Sequence, residues 1–475
     1  MWRKWAPYLV VVAVRARFFF SPMAVDEGGY LAVARAWFRG SDLYGRVWVD
    51  RPQGLLVLYG VLDRVGLGST FGIRLLGLAA CAVSMWACGV AAGALFGDRS
   101  RLPVVWAAGI ALSIPQIEGF SANAELLSCS VAAVGLALAL RAAWNRDVPD
   151  TRLLFLAGLA AGAAVTVKQS GFDATVAAGV AVVWTAAVRK WGAKRHARAV
   201  AVAVAGAAVP VGAVLLHAAL TGFGDWWWAV AGVRLELKSA LAPADYDKLR
   251  ETARIVLPIV GVAAVTAVAL LARGWSRHRG ALAVLAAWSL AALAAFWTGG
   301  LFHRHYWTIL MYPLAVGTGA ALSTLRGRTV VAVAVAVLAV PTVSTARGIV
   351  MDDAEVARDL HADSRLVRNE QAARWILANV PEDDSVWVMC ASSSLYAESR
   401  RDPPVRYLWF AYYRAVPGAI REVLTLLNGD AAPEWIVQVQ EPATCDPTGA
   451  LGALVSSRYE TVGGTPGWVI WRRSN

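Results

Sequence analysis

The chain has 475 residues, 58% of them hydrophobic, with a mean hydropathy of +0.51 and a formal net charge of +12. A soluble domain stays near half apolar with its apolar residues dispersed, whereas the Ala/Val/Leu runs here reach or approach the ~20 residues that cross a bilayer as helix. A soluble globular protein is excluded, and so is a nucleic-acid binder, because Arg and Lys gather in short loops between apolar runs.

The apolar runs predict eleven spans, at 5–22, 71–96, 103–117, 124–143, 153–167, 171–188, 199–218, 255–272, 280–298, 308–325 and 329–347. With Arg3 and Lys4 inside, the basic loops at 99–101, 141–152, 189–198, 273–279 and 326–328 all fall on the cytoplasmic side. The intervening segments 22–70, 118–123, 168–170, 219–254 and 299–307 then lie outside, as does the tail 348–475. Arg15 and Arg17 interrupt the first span. They are read as snorkelling to the outer interface, or as a sign that the recorded start clips a longer helix. Gly89/Gly93 and Gly158/Gly162 have the spacing that lets helices approach closely.

The outer loop 22–70 opens on Asp26–Glu27. Residues 27–39 place Tyr30, Leu31, Val33, Ala34 and Trp37 on one side at helical spacing, which predicts a helix lying along the membrane surface. Asp26 reads either as the cap of that helix or as a carboxylate able to take a hydroxyl proton; adjacent residues face apart, so at most one of the pair points into a site. The loop returns through Asp50–Arg51–Pro52, where Arg51 offers a planar fork for phosphate oxygens or an ion pair with Asp50. Trp226–Trp228 suits an interfacial belt.

Further polar residues recur at outer edges. Glu118, Asn123 and Glu125 lie on a short turn, where Asn123 also suits a helix cap. Lys168 sits between two apolar runs, against the positive-inside trend, which makes it a functional candidate. His303, Arg304, His305 and Tyr306 mark another edge. They lack His-x-x-x-His spacing or a nearby cysteine, so zinc is not indicated. A divalent ion on Asp26 and Glu27 is left open, although no compact ligand motif demands one.

Beyond residue 350 the pattern becomes helix, acidic turn and strand ending at Cys390, then helix, turn and strand again over 420–439, and a last strand in "GWVIWRR". This predicts a small extracytoplasmic α/β domain, 348–475, after a transmembrane domain, 1–347. Cys81, Cys88 and Cys129 fall in apolar runs. Cys390 and Cys445 would be free to pair in an oxidising space, though spacing alone does not establish the bond.

The stretch "DEGGYLAVARAWFRGSDLYGRVWVDRPQGLL" resembles the first outer loop of the GT-C polyprenyl-phosphate-dependent glycosyltransferases, bacterial branch related to protein O-mannosyltransferases and the lipid A aminoarabinose transferase. Asp26–Glu27 match that group's acidic motif and Arg51–Pro52 its basic–proline motif; Gln53 replaces a second proline and Arg51 a lysine. "ANAELL", "VKQ", "HYWTILMYP" and the tail are similar to later segments, so the resemblance covers nearly the whole chain. It implies transfer of a hexose or pentose, with inversion, from a polyprenyl-phosphate-linked sugar to a glycan, lipid or protein acceptor on the outer face of a bacterial plasma membrane. It assigns Asp26 as base with Glu27 as helper, and Arg51, Lys168, Arg304 and His305 to the donor phosphate. Asp50, Asn123, Glu125 and Tyr306 would contact substrate. The rival classes are a transporter or flippase for a lipid-linked glycan and a non-catalytic envelope scaffold. Transporters favour polar, broken helices at the midplane, whereas the polar residues here gather at one face.

Overall fold

Each of the eleven apolar stretches is helical over most of its length in the computed structural model, which describes residues 2–390, 392–465 and 467–474. The side chains of residues 2, 237–245, 275, 277 and 465 lie outside that description. The chain begins with α1 (Ala6–Ala16), α2 (Val25–Phe38), α3 (Gln53–Arg64), α4 (Thr70–Phe96) and α5 (Arg101–Ala111). There follow α6 (Ala124–Ala143), α7 (Thr151–Val167), α8 (Asp173–Val188), α9 (Ala193–Thr221), α10 (Phe223–Trp227) and α11 (Val233–Arg273). The helical part ends with α12 (Trp275–Gly299), α13 (Thr308–Ser323) and α14 (Gly327–Val350).

Among the described residues, six helical stretches are long and apolar enough to cross a membrane singly: 70–96, 124–143, 193–221, 246–273, 278–299 and 327–350. Residues 6–20 and α2 form a further pair bent by 74°, while α7 and α8 are apolar but shorter. Length and composition thus give six spans, or seven with the bent pair, and do not by themselves reach eleven. At Gly158 and Gly162 an added methyl group would collide with the backbone carbonyls of Ala203 and Ala207. The small-residue spacing is therefore what lets α7 lie against α9.

Three expectations change in the amino-terminal part. Arg15 does not snorkel: it is 1% exposed, with Nη1 3.5 Å from the Leu112 carbonyl. Arg17 reaches the tail, donating to the Met351 carbonyl at 2.6 Å and to Asp353 at 3.2 Å. Helix α2 is not a surface helix, because every residue from Glu27 to Ala36 is buried. Its polar side is covered as well as its apolar one, with Arg35 donating to Asp63 at 2.8 Å and to the Ala397 carbonyl at 3.1 Å. Amphipathic periodicity predicts one buried face; here the tail covers the other.

The tail contains α15 (Asp353–Glu355), α16 (Leu366–Asn379), β1 (Val386–Met389), α17 (Ser394–Glu398), α18 (Phe410–Ala415), α19 (Ala419–Asn428), β2 (Trp435–Gln438), α20 (Pro442–Cys445), α21 (Ala450–Arg458), β3 (Tyr459–Thr465) and β4 (Trp468–Arg473). The strands form a small mixed sheet in the order β1-β2-β4-β3, with β1 parallel to β2 and the other pairs antiparallel. Val386, Trp387, Val388 and Met389 are all buried, which explains the unalternated apolar run of the edge strand β1. Cys390 and Cys445 are joined as a disulfide, fastening the end of β1 to α20. Helix α17 packs on α2, so the tail reaches the opening of the first loop.

Candidate active site

Residues 21–24 break the chain between α1 and α2, and Pro22 removes a backbone donor there. Helix α2 starts with Ala24 at its cap position, which puts Asp26 and Glu27 in its first turn and turns them in different directions. Asp26 lines a cavity of about 580 Å³, together with Tyr30, Arg51, Arg234, His305 and Trp409 among others. Its Oδ1 accepts from Trp409 Nε1 at 2.8 Å and its Oδ2 from the Tyr30 hydroxyl at 3.3 Å, while His305 Nε2 stands 3.7 Å from Oδ2. No arginine or lysine lies within ion-pair distance of Asp26 among the described residues. The capping alternative fails, since its side-chain partners are side chains and not free helical N–H groups.

Glu27 points the other way and corrects the helper-base assignment. It is 1% exposed and accepts from Arg74 Nη1 at 2.7 Å, Ala122 N at 2.8 Å and Ala24 N at 3.2 Å. That set of donors consumes the carboxylate in tying α2 to α4 and to the start of α6. Asp26 and Glu27 point apart, and no group of three or more His, Cys, Asp or Glu among the described residues is placed to hold a metal.

Opposite the acid, the first loop returns through Asp50 and Arg51, both 4% exposed. Arg51 Nη1 is 2.7 Å from Asp50 Oδ1, and Arg234, at the start of α11, contacts Oδ2. Burial works against the Asp50 carboxylate, but Arg234 and Arg51 hold it below its usual range. Asp50, which lines the cavity, thereby brackets two arginines. The Arg51 guanidinium lies 5.9 Å from the Tyr30 ring, and Arg234 approaches the Tyr306 hydroxyl at 3.5 Å. Burial pushes the Tyr306 phenol up, yet Arg234 and Lys168 bring it below its ordinary value.

Behind this wall lies a second layer. Lys168 and Glu125 form a direct ion pair, 2% and 1% exposed, and neither lines the cavity. Lys168 Nζ sits 4.2 Å from the centre of the Tyr306 ring, and Glu125 stands 3.9 Å from His305 Nε2. They thus sit against Tyr306 and His305 and not on the cavity wall. Asn123 caps α6, accepting from Leu126 N at 2.8 Å, and also lies outside the cavity lining. Arg304 does line it, but its guanidinium is engaged by the Asp359 and Leu360 carbonyls and by Glu251 at 3.2 Å.

His305 joins the layers. Its Nδ1 is 3.4 Å from Glu118, which also faces His361 Nδ1 at 3.8 Å. Burial alone would lower the imidazole, but Glu125, Glu118 and Asp26 raise it to about 9, so it is cationic at neutral pH. Glu118 in turn is held well below its usual range, since His305 and His361 outweigh its burial. Neighbouring His303 is pushed well down by burial, Lys248 and His305. Glu118, Phe302 and Ala362 all take a positive φ although none is glycine.

Arg234, Trp409 and Tyr412 complete the site and escaped the sequence reading. Arg234 had a signal, being a cation in a segment assigned outside. The aromatic run Tyr407, Trp409, Phe410, Tyr412 and Tyr413 was conspicuous, but nothing local told that it would meet Asp26 from 383 residues away.

The fold has well-defined likenesses among solved structures. ArnT from Cupriavidus metallidurans in the apo state superposes with a TM-score of 0.65 at 15% identity, over 98% of this chain and 97% of that one. The same protein bound to undecaprenyl phosphate gives 0.62 at 15% identity over the same shares. The Archaeoglobus fulgidus oligosaccharyltransferase, in complex with zinc and sulfate, gives 0.57 at 14% identity over 99% and 73%. The chain has the GT-C fold. No family model matches the sequence, and neither does any curated protein.

Proposed function

We propose that this protein is a membrane glycosyltransferase that moves a sugar from a polyprenyl-phosphate donor to a cell-envelope acceptor. The observation that carries the reading is Asp26: a carboxylate on the wall of a sizeable cavity, held by neutral donors and facing a wall built around Arg51 and Arg234. Its likeness in fold to ArnT, solved with undecaprenyl phosphate bound, supports the donor class.

In this reading Asp26 takes the proton of the acceptor hydroxyl as its oxygen attacks the anomeric carbon. The bond between that carbon and the phosphate oxygen breaks, with inversion, and the leaving polyprenyl phosphate gains a second negative charge. Arg51 and Arg234 offer fixed donors where that charge develops, and Asp50 keeps their side chains oriented before substrate arrives. His305, with Tyr306 beside it, supplies a further cationic edge. The orientation inferred from the basic loops places this chemistry on the outer face. The sugar, hexose or pentose, and the acceptor, whether glycan, lipid or protein, are to be found by assay.

Purified protein in detergent or nanodiscs, given polyprenyl-phosphate sugars of several kinds, should transfer or slowly hydrolyse one of them. Asp26→Asn should cut the rate by about 10²–10⁴, the range a positioned general base supplies. Vesicle-to-vesicle movement of a lipid-linked glycan with no sugar transfer would favour the flippase class instead.

A further inference from the structure

We infer that Trp409 is a positioning residue for Asp26, and that Gly28–Gly29 follow the acidic pair because they leave the room in which the tail docks to supply it. The inference rests on the reading of Asp26 as the base and goes beyond it by making the tail part of the active site. Helical spacing puts Asp26, Gly29 and Tyr30 on neighbouring sides of α2. A methyl group on Gly29 would collide with Cζ2 of the Trp409 indole, and one on Gly28 with the backbone of Ser394. The two glycines therefore let the tail lie directly on the first turns of α2. Ser393 Oγ fastens that contact by donating to the Val25 carbonyl at 2.7 Å, one residue before Asp26.

The indole then reaches Asp26 with its single donor, at 2.8 Å on Oδ1. A carboxylate in a first helical turn is free to rotate about its side-chain bonds; fixing one oxygen leaves the other, Oδ2, directed toward Tyr30 and His305. Positioning of this kind acts on the transition state, because misplacing a reacting group by an ångström costs rate without removing any chemistry.

The test uses the full-length protein and a polyprenyl-phosphate sugar that it turns over. Trp409→Phe keeps the apolar packing and removes the donor; Gly29→Ala leaves every functional group in place and displaces the indole. Both should lower kcat per folded molecule about tenfold or more while KM for the donor stays within about twofold. Trp409→Gln, which restores an N–H donor, should recover part of the rate lost in Trp409→Phe. A merely structural role would lower the amount of folded protein and leave kcat per folded molecule at the parent's value, and that result overturns the inference. Parent-like kcat in Trp409→Phe overturns it as well. If Asp26→Asn remains active, the base assignment itself falls, an outcome distinct from either of these.

Discussion

Removing the Glu27 carboxylate tests whether the second acid of the first loop serves structure or chemistry. Glu27→Ala leaves Arg74, 0% exposed, without its anion, and strips Ala122 N and Ala24 N of an acceptor. Breaking a buried ion pair from one side costs about 3–5 kcal/mol. The two orphaned N–H groups would each add about 1–3 kcal/mol if independent, but they share the same carboxylate and do not sum fully. Arg74 keeps the Ser121 hydroxyl at 2.7 Å and the Pro22 carbonyl at 3.2 Å, so the net loss belongs near the lower end, about 3 kcal/mol. Glu27→Gln, which keeps volume and one acceptor, should lose less, and Glu27→Leu combined with Arg74→Leu less than the two single changes together. The readouts are the thermal unfolding midpoint in detergent and the turnover per folded molecule. Lower midpoints with preserved turnover are expected. A Glu27→Gln protein that melts like the parent but is inactive would refute the structural assignment.

Other consequences follow from the same contacts. Lys168→Met should destabilise the fold by about 3 kcal/mol by leaving Glu125 buried with, among the described residues, only His305 within ion-pair distance, at 3.9 Å, and should lower activity indirectly through Tyr306 and His305; Lys168→Met with Glu125→Leu should recover stability, as a melting series would show. Replacing Cys390 and Cys445 by serine opens a loop with a sequence separation of 55 and should cost about 2–4 kcal/mol, read from melting with and without reductant. The His305–Glu118 contact sets a pH window. His305, raised to about 9, contributes stability that is full below its ordinary value near 6.5 and is lost as pH rises through about 9. Glu118, held low, contributes above its ordinary value and loses it as pH falls through its depressed one. A melting profile should therefore be flattest between about 4.5 and 6.5, fall as pH rises from about 6.5 through about 9, and fall again on acidification below about 4.5, and His305→Gln should flatten the alkaline fall.

The apolar stretches, the tail's helix–strand alternation and the last strand were legible because periodicity and breakers report local structure directly. The site was legible in part. Asp26 and Arg51 stood out because charges beside apolar runs are costly and few. Their partners did not. Glu27 looked equivalent to Asp26 in sequence, and only the direction imposed by α2 sends one into the cavity and the other to Arg74. Lys168 was an anomaly by position, but its pairing with Glu125 depends on how α6 and α7 pack, which no local pattern encodes. Burial of α2 depended on the tail, hundreds of residues away, so periodicity described one face of the helix and missed what covers the other.

The central claim is that Asp26 deprotonates an acceptor while Arg51 and Arg234 hold the departing phosphate. The most direct measurement is the turnover of a polyprenyl-phosphate sugar by the parent and by Asp26→Asn, with binding of polyprenyl phosphate measured in parallel. The account predicts that Asp26→Asn binds the lipid phosphate as well as the parent but loses transfer by about 10²–10⁴. Transfer that survives Asp26→Asn at the parent's rate would contradict it.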